Sequence, residues 1–349
     1  MSGDRLIATE KDVDLAYRRA WFPVTRSQDL AGGPQQVKLL GQELVAYRAE
    51  DRSVRVTRNR CAHRGALLHT GKVRGGDIEC PYHGWRFDGL DGKCTLVPSS
   101  GPDKPVPPGA VIDAFPAIER FGLVWTCLDP GYQEFPDYDF LADWESWANG
   151  NGDPIPVGCG IRHTVENFRD VAHFAFVHVR TMGEMDPFVE PLKVNREDYT
   201  VIMERGYNVA GGFEEIWHDS MVFTYYVRPP ALICLKMEGD EGIRYTIHAA
   251  QPVDDTLSII YFATAATPGW TGVPIAEAVR HEHIIYSEDS PIISELQPRE
   301  APLFGTAGLV HSPADKFTLA YRRAFAEWAR DLATAGKPEG SELATATTG

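Results

Sequence analysis

The chain has 349 residues, 43% of them hydrophobic, and a formal net charge of −15. That length suits two domains, and the acidic balance argues against nucleic acid as a partner. No apolar run approaches the ~18 residues of a membrane span, and "MSGDRLIATEKDVDLAYRRAW" is charged from the start, without an apolar signal core. A cytoplasmic chain with no membrane contact is expected. Its six cysteines, at 61, 80, 94, 127, 159 and 234, then read as ligands or small core residues and not as a disulfide framework.

The first half reads as β. "QVKLLGQELVAYR" alternates about a Gly-centred turn and predicts a hairpin. "SVRVTR", "DIECPY" and "GLVWTCLD" predict further short strands, punctuated by "RGGD", "DGLDGK" and "PSSGPDKPVPPG". Short strands at close spacing suggest a small antiparallel sandwich or barrel. The texture changes between Gly131 and Pro156, which divides the chain into a first domain over 1–150, with its core at about 21–128, and a second over 151–335.

In the second half, "YTVIMERGY", "SMVFTYYV", "ALICLKME", "IRYTIHAAQPV" and "LSIIYFATAA" predict consecutive strands of an antiparallel sheet. A helix starts at Pro274, and another follows Ser312–Pro313, with Phe317, Tyr321, Phe325, Trp328 and Leu332 at helical spacing. Residues 336–349, "GKPEGSELATATTG", read as a disordered tail. The fold class is α+β: an all-β domain, then an antiparallel sheet flanked by helices.

Two clusters of residues carry chemistry. The first is Cys61 and His63, then sixteen residues, then Cys80 and His83. Each half lies in a turn bounded by small residues. One tetrahedral zinc usually takes two cysteines from one loop and two histidines from the other. Here each loop offers one thiolate and one imidazole. That suits a two-iron cluster with both sulfurs on one iron and both nitrogens on the other; a structural zinc knot is the competing reading. His69 lacks ligand spacing. The surrounding stretch, Ser53–Ser100, carries eight bases and four acids, hence +4 against −19 for the rest. It is either chance clustering on solvated turns or a dock for an acidic protein.

The second cluster is Asp170, His173 and His178 in "ENFRDVAHFAFVH". On an unbroken helix His173 and His178 would lie about 140° apart, so the helix must bulge or end between them if both hold one metal. Asp170 shares a face with His173 and could accept its second ring N–H. An open Fe(II) site needs a carboxylate as well, which this segment leaves unassigned.

"CAHRG" with "CPYHGW" resembles the Rieske [2Fe-2S] motif. "RNRCAHRGALL", "GKV" and "IECPYHGWRFD" extend the likeness to ring-hydroxylating Rieske non-heme iron oxygenases, the vanillate O-demethylase and dicamba monooxygenase group in particular. The resemblance runs from about Trp21 to Trp328. It implies a [2Fe-2S] cluster on Cys61, His63, Cys80 and His83, and a mononuclear Fe(II) on His173, His178 and an Asp of "YSEDSPIISELQ". Asp289 is the choice and Glu288 the alternative, and Pro291 is expected to kink or restart the helix just beyond. Asn167 matches a position near the iron; its other reading is a polar residue at a helix N-terminus.

The resemblance further implies a homotrimer in which His83 of one chain reaches His173 of the next through Asp170. Electrons would come from NAD(P)H through a reductase, with or without a ferredoxin. With O2 they would drive hydroxylation or O- or N-demethylation of an aromatic or cyclic small molecule. Monooxygenation fits better than dioxygenation. Pocket candidates are Phe174, Phe176, Trp217, Phe223, Tyr225, Cys234, Ile247 and His248, though strand residues of these types usually face a core. The rival classes are a Rieske-domain electron-transfer or redox-sensing protein without oxygen chemistry and a zinc-stabilised binding protein.

Overall fold

The computed structural model describes residues 8–101, 104–129, 134–207, 221–303 and 308–335. Trp217 and the expected tail over 336–349 lie outside the described residues.

Among the described residues, three small antiparallel sheets make up the β domain. One joins Phe22–Arg26, Leu123–Thr126 and Ala117–Arg120. The next holds Gln35–Leu39, Gln42–Arg48, Val54–Arg58 and Ala114–Phe115, and the last holds Lys72–Arg74, Asp77–Glu79, Arg86–Asp88 and Cys94–Leu96. The hairpin expected from alternation is present: Leu39 pairs with Gln42, and Leu40 and Gly41 turn with φ of 49° and 78°. Two positive-φ residues give the turn a twist that matches the strands. Tyr47, Leu68, Ile78 and Phe87 pack a core that also buries Cys61 and Cys80.

The five strands expected in the second half all form, as Thr200–Tyr207, Met221–Arg228, Leu232–Gly239, Gly242–Asp254 and Leu257–Ala266. They pair in sequence order, with Val194–Glu197 at one edge and Ala148–Asn151 and Ile155–Val157 both pairing with Leu257–Ala266. Strand alternation splits the sheet's two faces. Leu232, Cys234, Tyr245, Ile247 and Ala249 pack with Trp125 and Trp144 of the preceding segments. Phe223, Tyr225, Met237 and Phe262 face the helical side.

Among the described residues six α-helices lie in chain order: α1 (Glu10–Arg19), α2 (Ile161–Asn167), α3 (Phe174–Val177), α4 (Val179–Met182), α5 (Ile275–Ile293) and α6 (Lys316–Thr334). Ser312 and Asp315 form a capping box on the short turn Pro313–Asp315 that leads into α6, and it pairs the Ala314 and Ser312 amides. The stripe Phe317, Tyr321, Phe325, Trp328 and Leu332 is buried as its spacing predicts, each side chain contributing about 1.5–3 kcal/mol. Helix α1 packs on α6, and Arg19 Nη1 donates to the Leu332 carbonyl at 2.6 Å, a cation on otherwise unpaired C-terminal carbonyls. So α1, from the first 150 residues, packs against the second half, and Ala148–Asn151, which straddles the expected boundary at 150, pairs into the second-half sheet.

Pro291 does not interrupt α5, against expectation. It sits in the last turn, where losing one amide costs little because few helical bonds remain to be broken. Asp289 thus lies within the continuous helix Ile275–Ile293.

Candidate active site: two metal-binding constellations

The two cysteine–histidine loops have the same backbone design. Cys61 N–H donates to the Ala66 carbonyl (2.9 Å) and Gly65 N–H to the Cys61 carbonyl (2.8 Å). In the other loop Cys80 N–H donates to the Trp85 carbonyl (2.8 Å) and Gly84 N–H to the Cys80 carbonyl (3.0 Å). Each loop closes on a glycine with φ of 71°, a backbone conformation that costs a side chain-bearing residue about 1–2 kcal/mol. Two matched loops therefore present two buried thiols and two imidazoles to one place.

The His63 and His83 rings lie 4.7 Å apart. Trp85 stacks on His63 at 4.5 Å and Tyr82 leans on His83 at 3.8 Å. Burial pushes the Cys61 thiol up to about 11, even though the His63 and Arg64 backbone amides favour its thiolate. His63 Nδ1 is buried without a hydrogen-bond partner. Buried thiols and an orphaned imidazole nitrogen suit a cationic iron–sulfur centre, which stabilises thiolates and takes up free nitrogen lone pairs. His69 is otherwise engaged: its ring and amide bond Asn59 at 2.9 and 2.8 Å.

The basic stretch around these loops is largely paired. Arg60 bonds Glu43 (2.6 Å), Arg86 bonds Glu79 (2.9 Å), Arg55 meets Asp51 (3.3 Å) and Arg58 approaches Asp113 (3.9 Å). Glu43, Asp51 and Asp113 lie outside Ser53–Ser100, so the fold returns part of the charge that the stretch lacks.

The second constellation is built where helix geometry breaks. His173 occupies the N-cap position of α3, and His178 is the joint between α3 and α4, with φ −103° and ψ 22°. The break removes the 140° separation and turns both rings toward α5. His173 Nε2 and His178 Nε2 come within 3.1 Å, and Asp289 Oδ1 lies 3.3 Å from each. Their other nitrogens are occupied. His173 Nδ1 donates to Asp170 at 3.2 Å, and His178 Nδ1 donates to Glu288 at 3.0 Å. With each Nδ1–H committed to a carboxylate, each ring in its neutral form presents the Nε2 lone pair to the shared centre.

Two imidazole lone pairs and a carboxylate oxygen thus converge in a dry site; Asp289 is 4% exposed and its Oδ1 makes no well-formed hydrogen bond. Such a cluster needs a positive centre. Without a metal, a proton on His173 serves: burial pulls that imidazole down, but Asp170 and Asp289 outweigh it and hold it up at about 9. Burial likewise opposes the Asp289 charge, yet the two imidazoles hold it near 2. Two histidines and one carboxylate, each offering one atom within 4.8 Å of the others, fit an open non-heme Fe(II) site.

Other expected residues fall differently. Asn167 ends α2 and so is not at a helix N-terminus; its carbonyl accepts from the Asp170 amide at 3.2 Å. Glu288 points away from the facing nitrogens and is not grouped with them; it accepts from His178 and from the Thr181 hydroxyl (2.6 Å). Among the pocket candidates, Phe223 and Tyr225 lie on the helical side. Cys234 and Ile247 lie on the opposite face, because their strand positions are odd to the inner set. Phe176 is 73% exposed and lines no interior. Buried Arg244 and Glu282, which sequence reasoning missed, lie 3.7 Å apart between sheet and α5. Arg244 had a signal, a charged residue at an inward position of an alternating strand.

A β domain with paired Cys/His loops, joined to a sheet-and-helix domain carrying a two-histidine, one-carboxylate site, defines an iron oxygenase component with two metal centres. Residues 20–116 match the family model of the Rieske [2Fe-2S] domain, and residues 157–331 that of the vanillate O-demethylase oxygenase C-terminal domain. The chain belongs to the Rieske non-heme iron oxygenases. It is 30% identical to the methylxanthine N1-demethylase NdmA of Pseudomonas putida over 342 residues, covering 93% of this chain and 91% of that protein. The structure of Pseudomonas putida NdmA with caffeine superposes with a TM-score of 0.78 at 27% identity, over 92% of this chain and 96% of that one. The oxidoreductase NdmD of Pseudomonas putida is 39% identical over 112 residues, 31% of this chain and 18% of that protein. This chain is therefore an oxidoreductase whose family uses a [2Fe-2S] cluster, a mononuclear iron and O2, with electrons from NAD(P)H through a reductase. No helix among the described residues is long and apolar enough to cross a membrane.

Proposed function

We propose that the chain is the terminal component of a monooxygenase that removes an O- or N-linked methyl group from a small ring compound, working as a cytoplasmic homotrimer. The observation that carries this reading is the convergence of His173 Nε2, His178 Nε2 and Asp289 Oδ1 with both Nδ1 atoms tied to carboxylates. In this reading those residues hold iron, and Cys61, His63, Cys80 and His83 hold the cluster. When loaded, the two centres supply the electrons and the oxygen activation for inserting one oxygen atom into a C–H bond.

The protein's own part is orientation and exclusion of water. Asp170 and Glu288 fix the ring planes and tautomers of the two histidines. Phe174 packs beside both rings, and Phe168 packs on Tyr286, one turn before Asp289 on α5. These rings keep the site dry. Asp170 also reaches outward, since its side chain is 38% exposed although it bonds the largely covered His173. No hydrogen bond joins Asp170 to His83 within one chain among the described residues, and His83 is exposed. A neighbouring chain's His83 bonding Asp170 would connect the centres, with the ring of three closing the contact. Asn167 remains a candidate positioning residue there, through the Asp170 amide. A reductase, alone or through a ferredoxin, delivers the electrons.

The overall balance is methyl ether or methylamine, O2, NAD(P)H and a proton giving the free hydroxyl or amine, formaldehyde, water and NAD(P)+. A screen of methoxy- and N-methyl-ring compounds with reductase and NADH, reading formaldehyde and hydroxylated product separately, tests it. Formaldehyde in step with NADH supports the reading. Iron restricted to the cluster, with sulfide and no product, would replace it by an electron-transfer protein.

A further inference from the structure

Arg244 is 1% exposed, on the strand Gly242–Asp254, and its side chain lies between the sheet and α5. Its Nη2 meets only the weak acceptor Met237 Sδ at 3.2 Å, and Glu282 Oε1 at 3.7 Å is beyond hydrogen-bond reach. Its Nε and Nη1 have no acceptor among the described residues. Two residues along the strand, Thr246 hydroxyl approaches Glu282 at 3.4 Å; two further on, His248 bonds the Tyr286 hydroxyl through Nδ1 and leaves Nε2 unpartnered. A buried guanidinium normally spends its planar fork on acceptors, because unpaired donors in a dry interior are costly.

Glu282 and Asp289 lie seven residues apart on α5, hence on one face and about 10 Å apart along the axis. An acceptor bound at Arg244 therefore belongs to a molecule that can reach from there to the His173–His178–Asp289 end. We infer that the substrate is a neutral ring bearing a carbonyl-type acceptor, held by the Arg244 guanidinium with Glu282 as its countercharge. An apolar group there would leave the N–H donors unpaired. An anionic group would add charge to a buried pair that Glu282 already neutralises, near the carboxylates of Asp289 and Glu288. A neutral acceptor satisfies the donors and leaves the charge balanced.

This inference rests on the oxygenase reading and is tested apart from it. The holoprotein is titrated by calorimetry with vanillamide, vanillate and creosol, which share a ring and a methoxy group and differ in an amide, a carboxylate or a methyl. Vanillamide should bind at least about tenfold tighter than the other two. Arg244→Met should bring vanillamide down to creosol. Glu282→Gln should reverse the order of vanillamide and vanillate, since Arg244 then lacks its countercharge. If Arg244→Met loses cluster or iron, Glu282→Gln carries the test. Equal affinity for the three probes, no measurable binding, or a preference that neither variant alters overturns the inference. The oxygenase reading fails separately, by absence of iron beyond the cluster, whatever the probes do.

Discussion

Glu288 Oε2 lies 3.0 Å from His178 Nδ1, while the carboxylate of the next residue, Asp289, faces the opposite nitrogens of His173 and His178 at 3.3 Å. Adjacent acids on one helix thus reach opposite edges of the same imidazole. Asp289→Ala should remove the mononuclear iron and leave the cluster. Glu288→Gln should keep the iron with affinity lowered about 10–100-fold. Iron and acid-labile sulfide per chain separate the two outcomes, and equal iron loss in both would mean that Glu288 is itself a ligand.

Asp170 bonds His173 from a partly exposed position. Asp170→Asn keeps the shape and one acceptor but not the charge. Turnover should fall by about 10–100-fold or more while cluster and iron contents stay at wild-type levels. Reduction of the cluster by the reductase should proceed at its usual rate. Full turnover in this variant would exclude Asp170 from the link between centres.

Gly84 closes the second cysteine–histidine loop at φ 71°, and a Cβ there would stand 3.1 Å from Pro98 Cγ. Gly84→Ala should cost about 1–2 kcal/mol from the backbone conformation alone, seen as a lower Tm and partial loss of the cluster's visible absorption. Gly109→Ala is the control, since a Cβ there meets nothing within 4 Å; it should be neutral or slightly stabilising.

Glu300 links the residues ahead of α6 to α2. It accepts from the Arg162 amide at 2.8 Å and the Ala301 amide at 3.0 Å, and burial outweighs the Arg162 cation and pushes its carboxyl up to about 7. A raised carboxyl means that the folded state holds a proton the unfolded chain releases near 4.5. Its stabilising contribution is therefore full below that value and is lost as pH rises through about 7, by at most about 3 kcal/mol. Glu300→Gln should flatten that part of the stability–pH curve in urea melts. An unchanged slope would show that the amides and Arg162 hold it ionised.

Much of the fold was legible because it rests on local periodicity. The hairpin about Gly41, the five strands from Thr200 to Ala266 and the α6 stripe each repeat a pattern that burial imposes on a strand or helix. Other features depended on neighbours distant in sequence. Pro291 reads as a helix breaker, yet its cost is small in a last turn. Phe176 reads as interior, yet the short α3 turns it outward. Cys234 and Ile247 look like pocket residues, yet the sheet has apolar cover on both faces and composition does not say which face is which.

By itself, the sequence determined the two loops. Cys61, His63, Cys80 and His83 sit in local turns whose hydrogen bonds close within six residues, so spacing reveals their geometry. The tertiary structure alone decided which acid on α5 faces the two imidazoles and that Arg244 meets Glu282. Those relationships span some tens to over a hundred residues of chain. They are set by helix register and by which face of a strand is turned inward, and a step of one residue reverses either.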